Sequence, residues 1–168
     1  MPMPSSRPVA PLQTPSTRRP LVRCGAAALA LTAVLAGCSR GEVAISPAPL
    51  AGEPVCQEVA EAFPETVADR VAQPVPEEAA GSAAAWGNPP IVARCGVVPP
   101  GPTTDPCLTV NKVDWVVQEL DDGIALVTYG RTPALEILVP ASYPQSADLV
   151  AGFAEAAGTL PSTGRACT

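Results

Sequence analysis

Histidine is absent from all 168 residues. That removes imidazole bases, Ser/Cys–His nucleophile systems and His-ligated metals together. Positive charge is also scarce. Ten Lys and Arg stand against sixteen Asp and Glu, a net charge of −6. Phosphate binding needs a basic face, so nucleic acid is excluded as an expected partner. No apolar run approaches the ~20 residues that span a bilayer as a helix. What is present suffices for one domain with appendages. Hydrophobic residues make up 47% of the chain and charged residues 15%, enough to bury a core. Twenty-two prolines, against a usual ~5% of residues, imply long extended stretches around it.

The first forty residues read as an export signal. Arg18, Arg19 and Arg23 precede an eleven-residue apolar run from Gly25 to Leu35, and no acidic residue occurs before Glu42. The run ends in Leu35-Ala36-Gly37-Cys38, which resembles the lipobox of bacterial lipoproteins, where the cysteine thiol takes a diacylglyceryl group before cleavage. Two acyl chains suffice for stable anchoring. Ordinary secretory cleavage near Ala36, with Cys38 a free thiol, is the alternative. Thr17 to Val22 also looks like a twin-arginine export motif, which leaves the export route open.

These signals divide the chain into a signal peptide (1–37), a lipidated cysteine and flexible tether (38–53) and one extracytoplasmic domain (54–168). Arg7, Arg18, Arg19 and Arg23 leave with the signal. Six basic residues then face all sixteen acidic ones, a balance of −10. Anionic headgroups repel such a chain, so it is expected to stand off the membrane. Ser39 to Glu53 carries Pro47 and Pro49 among small residues with no hydrophobic period. Fully extended, such a tether reaches at most about 50 Å.

From Pro54, a residue suited to a helix's first turn, Val55, Cys56, Val59 and Phe63 recur at helical spacing, and Pro64 ends the pattern. Glu65 to Ala80 reads as a solvated loop with a helical turn at Thr66 to Val71. Ser82 to Trp86 and Ile91 to Val97 read as strands. Between Val110 and Val139 the pattern predicts a three-stranded meander, with turns at Asp122-Gly123 and Gly130-Arg131. Ser146 is placed to cap a last helix from Ala147 to Ala157, stopped by Gly158. The expected fold is α+β: one small, mostly antiparallel sheet of four to five strands, with N- and C-terminal helices on one face, stapled by disulfides.

Four cysteines remain in the domain: Cys56, Cys95, Cys107 and Cys167. Outside the cytosol an even set implies disulfides. Of three pairings, Cys95–Cys107 with Cys56–Cys167 is favoured, because the first closes one proline-rich loop and the second ties the domain's ends. A structural zinc site or a redox pair would want close Cys-x-x-Cys spacing.

Several short pieces occur in order: Cys56, Phe63-Pro64, Ala85-Trp86-Gly87 before Pro90, Arg94-Cys95-Gly96-Val97, Val113-Asp114-Trp115, Gly130-Arg131 and Val139-Pro140. With the lipobox, they resemble the actinobacterial lipoproteins of domain-of-unknown-function family 3515, over roughly Pro54 to Ala157. The resemblance implies a cell-envelope location and brings no assigned activity.

Candidate chemistry is thin. Asp114, Glu119, Asp121 and Asp122 lie close in sequence, and a carboxylate pair is what glycosidase chemistry uses, although Asp-Asp-Gly is also ordinary turn chemistry. Arg94 and Arg131 stand out in an acidic chain. With Trp86 they form a candidate anion-binding trio, walled by the loop Val98 to Pro106; simple salt bridges are the other reading. No cofactor or metal is expected. The leading expectation is a non-catalytic envelope lipoprotein on the outer face of the cell membrane, with an envelope protein or glycan as partner. The alternative is a carboxylate-based hydrolase acting on envelope polymers.

Overall fold

The computed structural model describes residues 41–145 and 147–168. Cys38 and Ser146, and with them the lipidation and capping assignments, lie outside the described residues. The domain is built around an eight-stranded antiparallel sheet, larger than the four to five strands expected. Its strands are β1 (Thr66–Val67), β2 (Arg70–Gln73), β3 (Ala83–Trp86), β4 (Ile91–Val97), β5 (Cys107–Val110), β6 (Val113–Leu120), β7 (Gly123–Tyr129) and β8 (Ala134–Pro140). Their order is β1-β2-β3-β4-β8-β7-β6-β5. The last strand is thus inserted between β4 and β7, which joins the N-terminal and C-terminal halves.

The extra strands come from turns of unexpected composition. Ala68 and Asp69 both adopt positive φ (48° and 59°) and reverse the chain between Val67 and Arg70, which are paired. The expected helical turn at Thr66 to Val71 is therefore a hairpin. Asn111 and Lys112 (φ 48° and 67°) do the same between β5 and β6. Paired positive φ gives a two-residue turn whose twist matches the strands. The expected Asp122-Gly123 turn lies one residue earlier, because Leu120 pairs with Gly123. Gly123 serves another purpose: a Cβ there would collide with the Val139 carbonyl on β8.

One face of the sheet carries the main core. Ile91, Ala93 and Cys95 of β4, Leu135, Ile137 and Val139 of β8, Leu126 of β7, and Val113 and Trp115 of β6 all point to it. The strict alternation of these positions is the period of two that any strand imposes. Over them lie α1 (Pro54–Glu61), α3 (Ala147–Ala151) and α4 (Ala154–Thr159), through Cys56, Val59, Val150, Phe153, Ala156 and Ala157. The single C-terminal helix expected is two short ones, broken at Gly152–Phe153, and the second runs through Gly158 to Thr159. It stops there because Leu160, preceding Pro161, is extended. Phe63, Trp86 and Phe153 form a triangle of edge-to-face rings with centroids 5.5–6.2 Å apart, a geometry aromatic quadrupoles favour.

The opposite face is closed by chain rather than by long helices. Ile45 and Ala48, assigned to a flexible tether, are buried. Ile45 packs with Ala79 of the short α2 (Glu77–Ala80) and with Ala83, Ala85 and Val92. Val43 N donates to Pro74 O at 3.0 Å, and Leu50 N to Gly96 O at 2.7 Å. From Val43 onward, then, the expected tether is a strap across the sheet. At its far end Gly96 is the extra residue of a β-bulge between Cys95 and Val97. Its φ is +98°, and a Cβ would strike the Leu50–Ala51 backbone, so glycine is what admits the strap.

The disulfides are Cys56–Cys95 and Cys107–Cys167, which overturns the expected pairing. The first joins α1 to β4 beneath the helices, with both residues fully buried. The second pins the C-terminal tail across β5 and β6. The tail adds Thr163 N to Gly130 O at 2.8 Å, a bridge between Arg131 and Ser162, and Cys167 N to an Asp114 carboxylate oxygen at 2.9 Å. Sequence proximity favoured Cys95–Cys107. The strand order separates them, because β8, β7 and β6 lie between β4 and β5.

Candidate functional site

The expected anion-binding trio does not assemble. Trp86 is fully buried on the helical face, where its Nε1 donates to Pro64 O at 3.1 Å. Arg94 alternates with Ala93 and Cys95 and therefore points to the opposite face, where its guanidinium is paired with Glu136 on β8. Arg131 donates to Leu160 O at 2.6 Å and more weakly to Gly158 O at 3.5 Å. It thereby covers carbonyls at the end of α4, where a cation also meets the negative end of the helix. Each arginine is consumed by the fold. The loop Val98 to Pro106 is not closed by a disulfide of its own.

The hairpin carboxylates disperse as well. Asp114 accepts from the Thr109 hydroxyl at 2.6 Å and from Cys167 N, which makes it a clasp for the tail. Glu119 shares the helical face with Val117 and lines a small cavity beside Gln145 and Val150, whereas Asp121 and Asp122 occupy the turn. The four cysteines are all in disulfides, so none is left for zinc.

Two other concavities are formed at one end of the sheet. The larger, about 470 Å³, lies between the β1–β2 turn and the segment leading into α3. Asp69, Arg70, Tyr143 and Asp148 supply its functional groups. Tyr143 is fixed from two sides. Its hydroxyl donates to Pro89 O at 2.9 Å, and it lies directly over Gly87, where any Cβ would displace it. Gly87 O in turn accepts from the Gln73 side chain. The opposite wall is a turn with Ala68 in the left-handed region, which costs an alanine roughly 1–2 kcal/mol. Among the described residues Arg94–Glu136 is the one ion pair, so Arg70 has no carboxylate partner there. A guanidinium fork, two carboxylates and a fixed phenol can hold a polar ligand that both donates and accepts hydrogen bonds.

The second concavity, about 400 Å³, is mostly apolar. Its walls include Pro90, Val92, Leu120, Leu138 and Pro140. Neither concavity was visible in the sequence, because their residues come from turns far apart in the chain. The one available signal was Trp86-Gly87 followed by prolines, which marks where Tyr143 crosses.

Similarity to known proteins adds a family and no activity. The matching family is DUF3515, described as a protein of unknown function, and the match covers residues 20–163. The chain belongs to the DUF3515 family. The match to DUF3515 extends beyond Pro54 to Ala157, so it takes in the strap over 43–53 and the start of the C-terminal tail. No curated protein and no solved structure matches the chain.

Proposed function

We propose that this DUF3515 protein is an extracytoplasmic lipoprotein, held on the outer face of the cell membrane by acyl chains on Cys38. It acts there as a non-catalytic binding or accessory module of the cell envelope. The observation that carries the reading is the disulfide set. All four cysteines beyond the lipobox are paired, as suits an oxidising compartment. The polar cleft at Arg70 and Tyr143 is where a glycan or envelope-protein partner has groups to meet. Metabolic labelling with a fatty-acid probe tests the anchor: wild type should incorporate the probe and Cys38→Ala should not. Label retained on the mutant would refute the assignment. For the binding role, pull-down from intact envelopes with wild type and with Arg70→Ala should recover a partner that the variant loses.

One observation favours the alternative, a hydrolase of envelope polymers: Asp69 and Asp148 line the same cleft, and carboxylate pairs across a cleft are glycosidase machinery. Release of soluble fragments from purified cell wall by wild type, abolished in Asp69→Asn/Asp148→Asn, would establish it in place of the binding role.

A further inference from the structure

The cleft beside Tyr143 holds charges of both signs that are not paired with one another. Asp69, Arg70 and Asp148 line one cavity of about 470 Å³, a size usual for a small-molecule site. Yet the one ion pair among the described residues is Arg94–Glu136. The backbone explains why the three stay apart. Asp69 sits at φ 59° in the β1–β2 turn, a conformation that the short side chain of Asp tolerates. One residue on, Arg70 is already in β2 and paired with Val67. Its aliphatic stem rests on Gly87, where a Cβ would come within 3.1 Å of Arg70 Cγ and would displace the Tyr143 hydroxyl. Gly87, at φ +78°, therefore seats the arginine and the phenol together. Asp148 comes from the other wall, on α3. Attraction between exposed charges is worth about 0–1 kcal/mol, too little to override these placements.

The groups also divide by hydrogen-bonding sense. A guanidinium only donates and ionised carboxylates only accept. Tyr143 gives its O–H to Pro89 O, which leaves its own oxygen as an acceptor. One side chain thus suits an anion and three suit a cation. A simple anion on Arg70 would lie beside two carboxylates, and a simple cation would lie beside the guanidinium. A neutral ligand would cover ionised groups without supplying a counter-charge, which is costly. Ala68, Pro144 and Leu149 complete the walls and offer apolar surface to a short aliphatic body.

We infer that the cleft binds a zwitterion: a peptidic ligand with its carboxylate on Arg70 and its primary ammonium among Asp69, Asp148 and the Tyr143 oxygen. The inference rests on the cleft being the module's binding site. It narrows the partner to one that presents a free amino-acid or short-peptide group.

Equilibrium dialysis of the full chain in detergent micelles against radiolabelled alanylalanine tests this, with N-acetyl-alanylalanine and alanylalanine amide as unlabelled competitors. The free dipeptide should bind saturably, and each blocked form should compete about tenfold more weakly, the worth of one charged hydrogen-bonded contact. Arg70→Gln and Asp69→Asn/Asp148→Asn should each weaken the dipeptide by about the same factor. Melting temperature should hold, because all three side chains are exposed. In Arg70→Gln the amide should also lose its handicap against the free dipeptide, a change that mere damage to the cleft would not produce. Equal competition by the N-acetyl form, or no saturable uptake of the dipeptide, overturns the zwitterion assignment. If Arg70→Ala nevertheless loses its partner in the envelope pull-down, the binding module stands without it. If Arg70→Ala keeps that partner while Arg70→Gln loses the dipeptide, the zwitterion site stands and the envelope reading of the cleft falls.

Discussion

The two faces of the sheet solve the same problem with different materials. The helical face buries Trp86, Trp115, Phe153 and Ile91 completely and draws its cover from α1, α3 and α4. The other face has a smaller cluster of alanines with Ile45 and Val92, an Arg94–Glu136 pair, and cover taken from the strap and the C-terminal tail. Large side chains need cover with depth, which helices supply. Alanines leave a shallow surface that a single extended strand can close. The first face is accordingly where stability concentrates, and the second is where the strap and the C-terminal tail are held in place.

That contrast can be broken at its strong side first. Phe153→Ala opens a cavity at the centre of the aromatic triangle and is expected to cost about 3–5 kcal/mol. Urea unfolding measures it; a loss below that of Ile45→Ala would invert the ranking of the faces. For Ile45→Ala, at the edge of the smaller cluster, the expected cost is about 2 kcal/mol, the low end for such truncations. Gly96→Ala should cost about 1–3 kcal/mol, because an alanine must hold φ +98° and push the strap aside. Faster hydrogen exchange at the Leu50 amide, with the aromatic triangle's protection unchanged, would show that strap and helical face are separable. The smallest effect is expected from Glu136→Gln. Its partner Arg94 keeps 31% of its side chain exposed, so about 1–2 kcal/mol lies between the exposed and buried limits. A loss as large as that of Phe153→Ala would mean that the ion pair organises its face.

Legibility followed the same division. Val113, Trp115 and Val117 alternate with Asp114 and Gln118 and made β6 legible, whereas β7 and β8, buried on both faces, were legible from the turns that bound them. The helix at Cys56 was legible for the matching reason, its period of 3.6. The strap was not: Ile45 and Ala48 are isolated apolar residues among prolines, and a segment that covers alanines needs no amphipathic period. Nor were β1, β2 and β5, since Ala68-Asp69 and Asn111-Lys112 lack the glycine that marks a two-residue hairpin. Arg94 and Arg131 were singled out as unusual, which they are, but rarity of charge does not separate binding from structure. Their carbonyl and carboxylate partners are 27 to 42 positions away in sequence. The disulfide pairing depends on strand order, and strand order depends on where β8 inserts, which no local pattern encodes.

The pairing that results, first cysteine of the domain with second and third with fourth, has a bearing on biogenesis. A chain emerging N-terminus first presents Cys56 and then Cys95 while Cys107 and Cys167 are still to come. An oxidase acting on thiols in order of arrival would therefore form the native Cys56–Cys95 bond without competition. Cys107 must then wait for Cys167, at a sequence separation of 60, so the second bond can close only after the first. For a chain exported unfolded, oxidation in order of appearance would give these native pairs, and maturation would then need an oxidase but no isomerase.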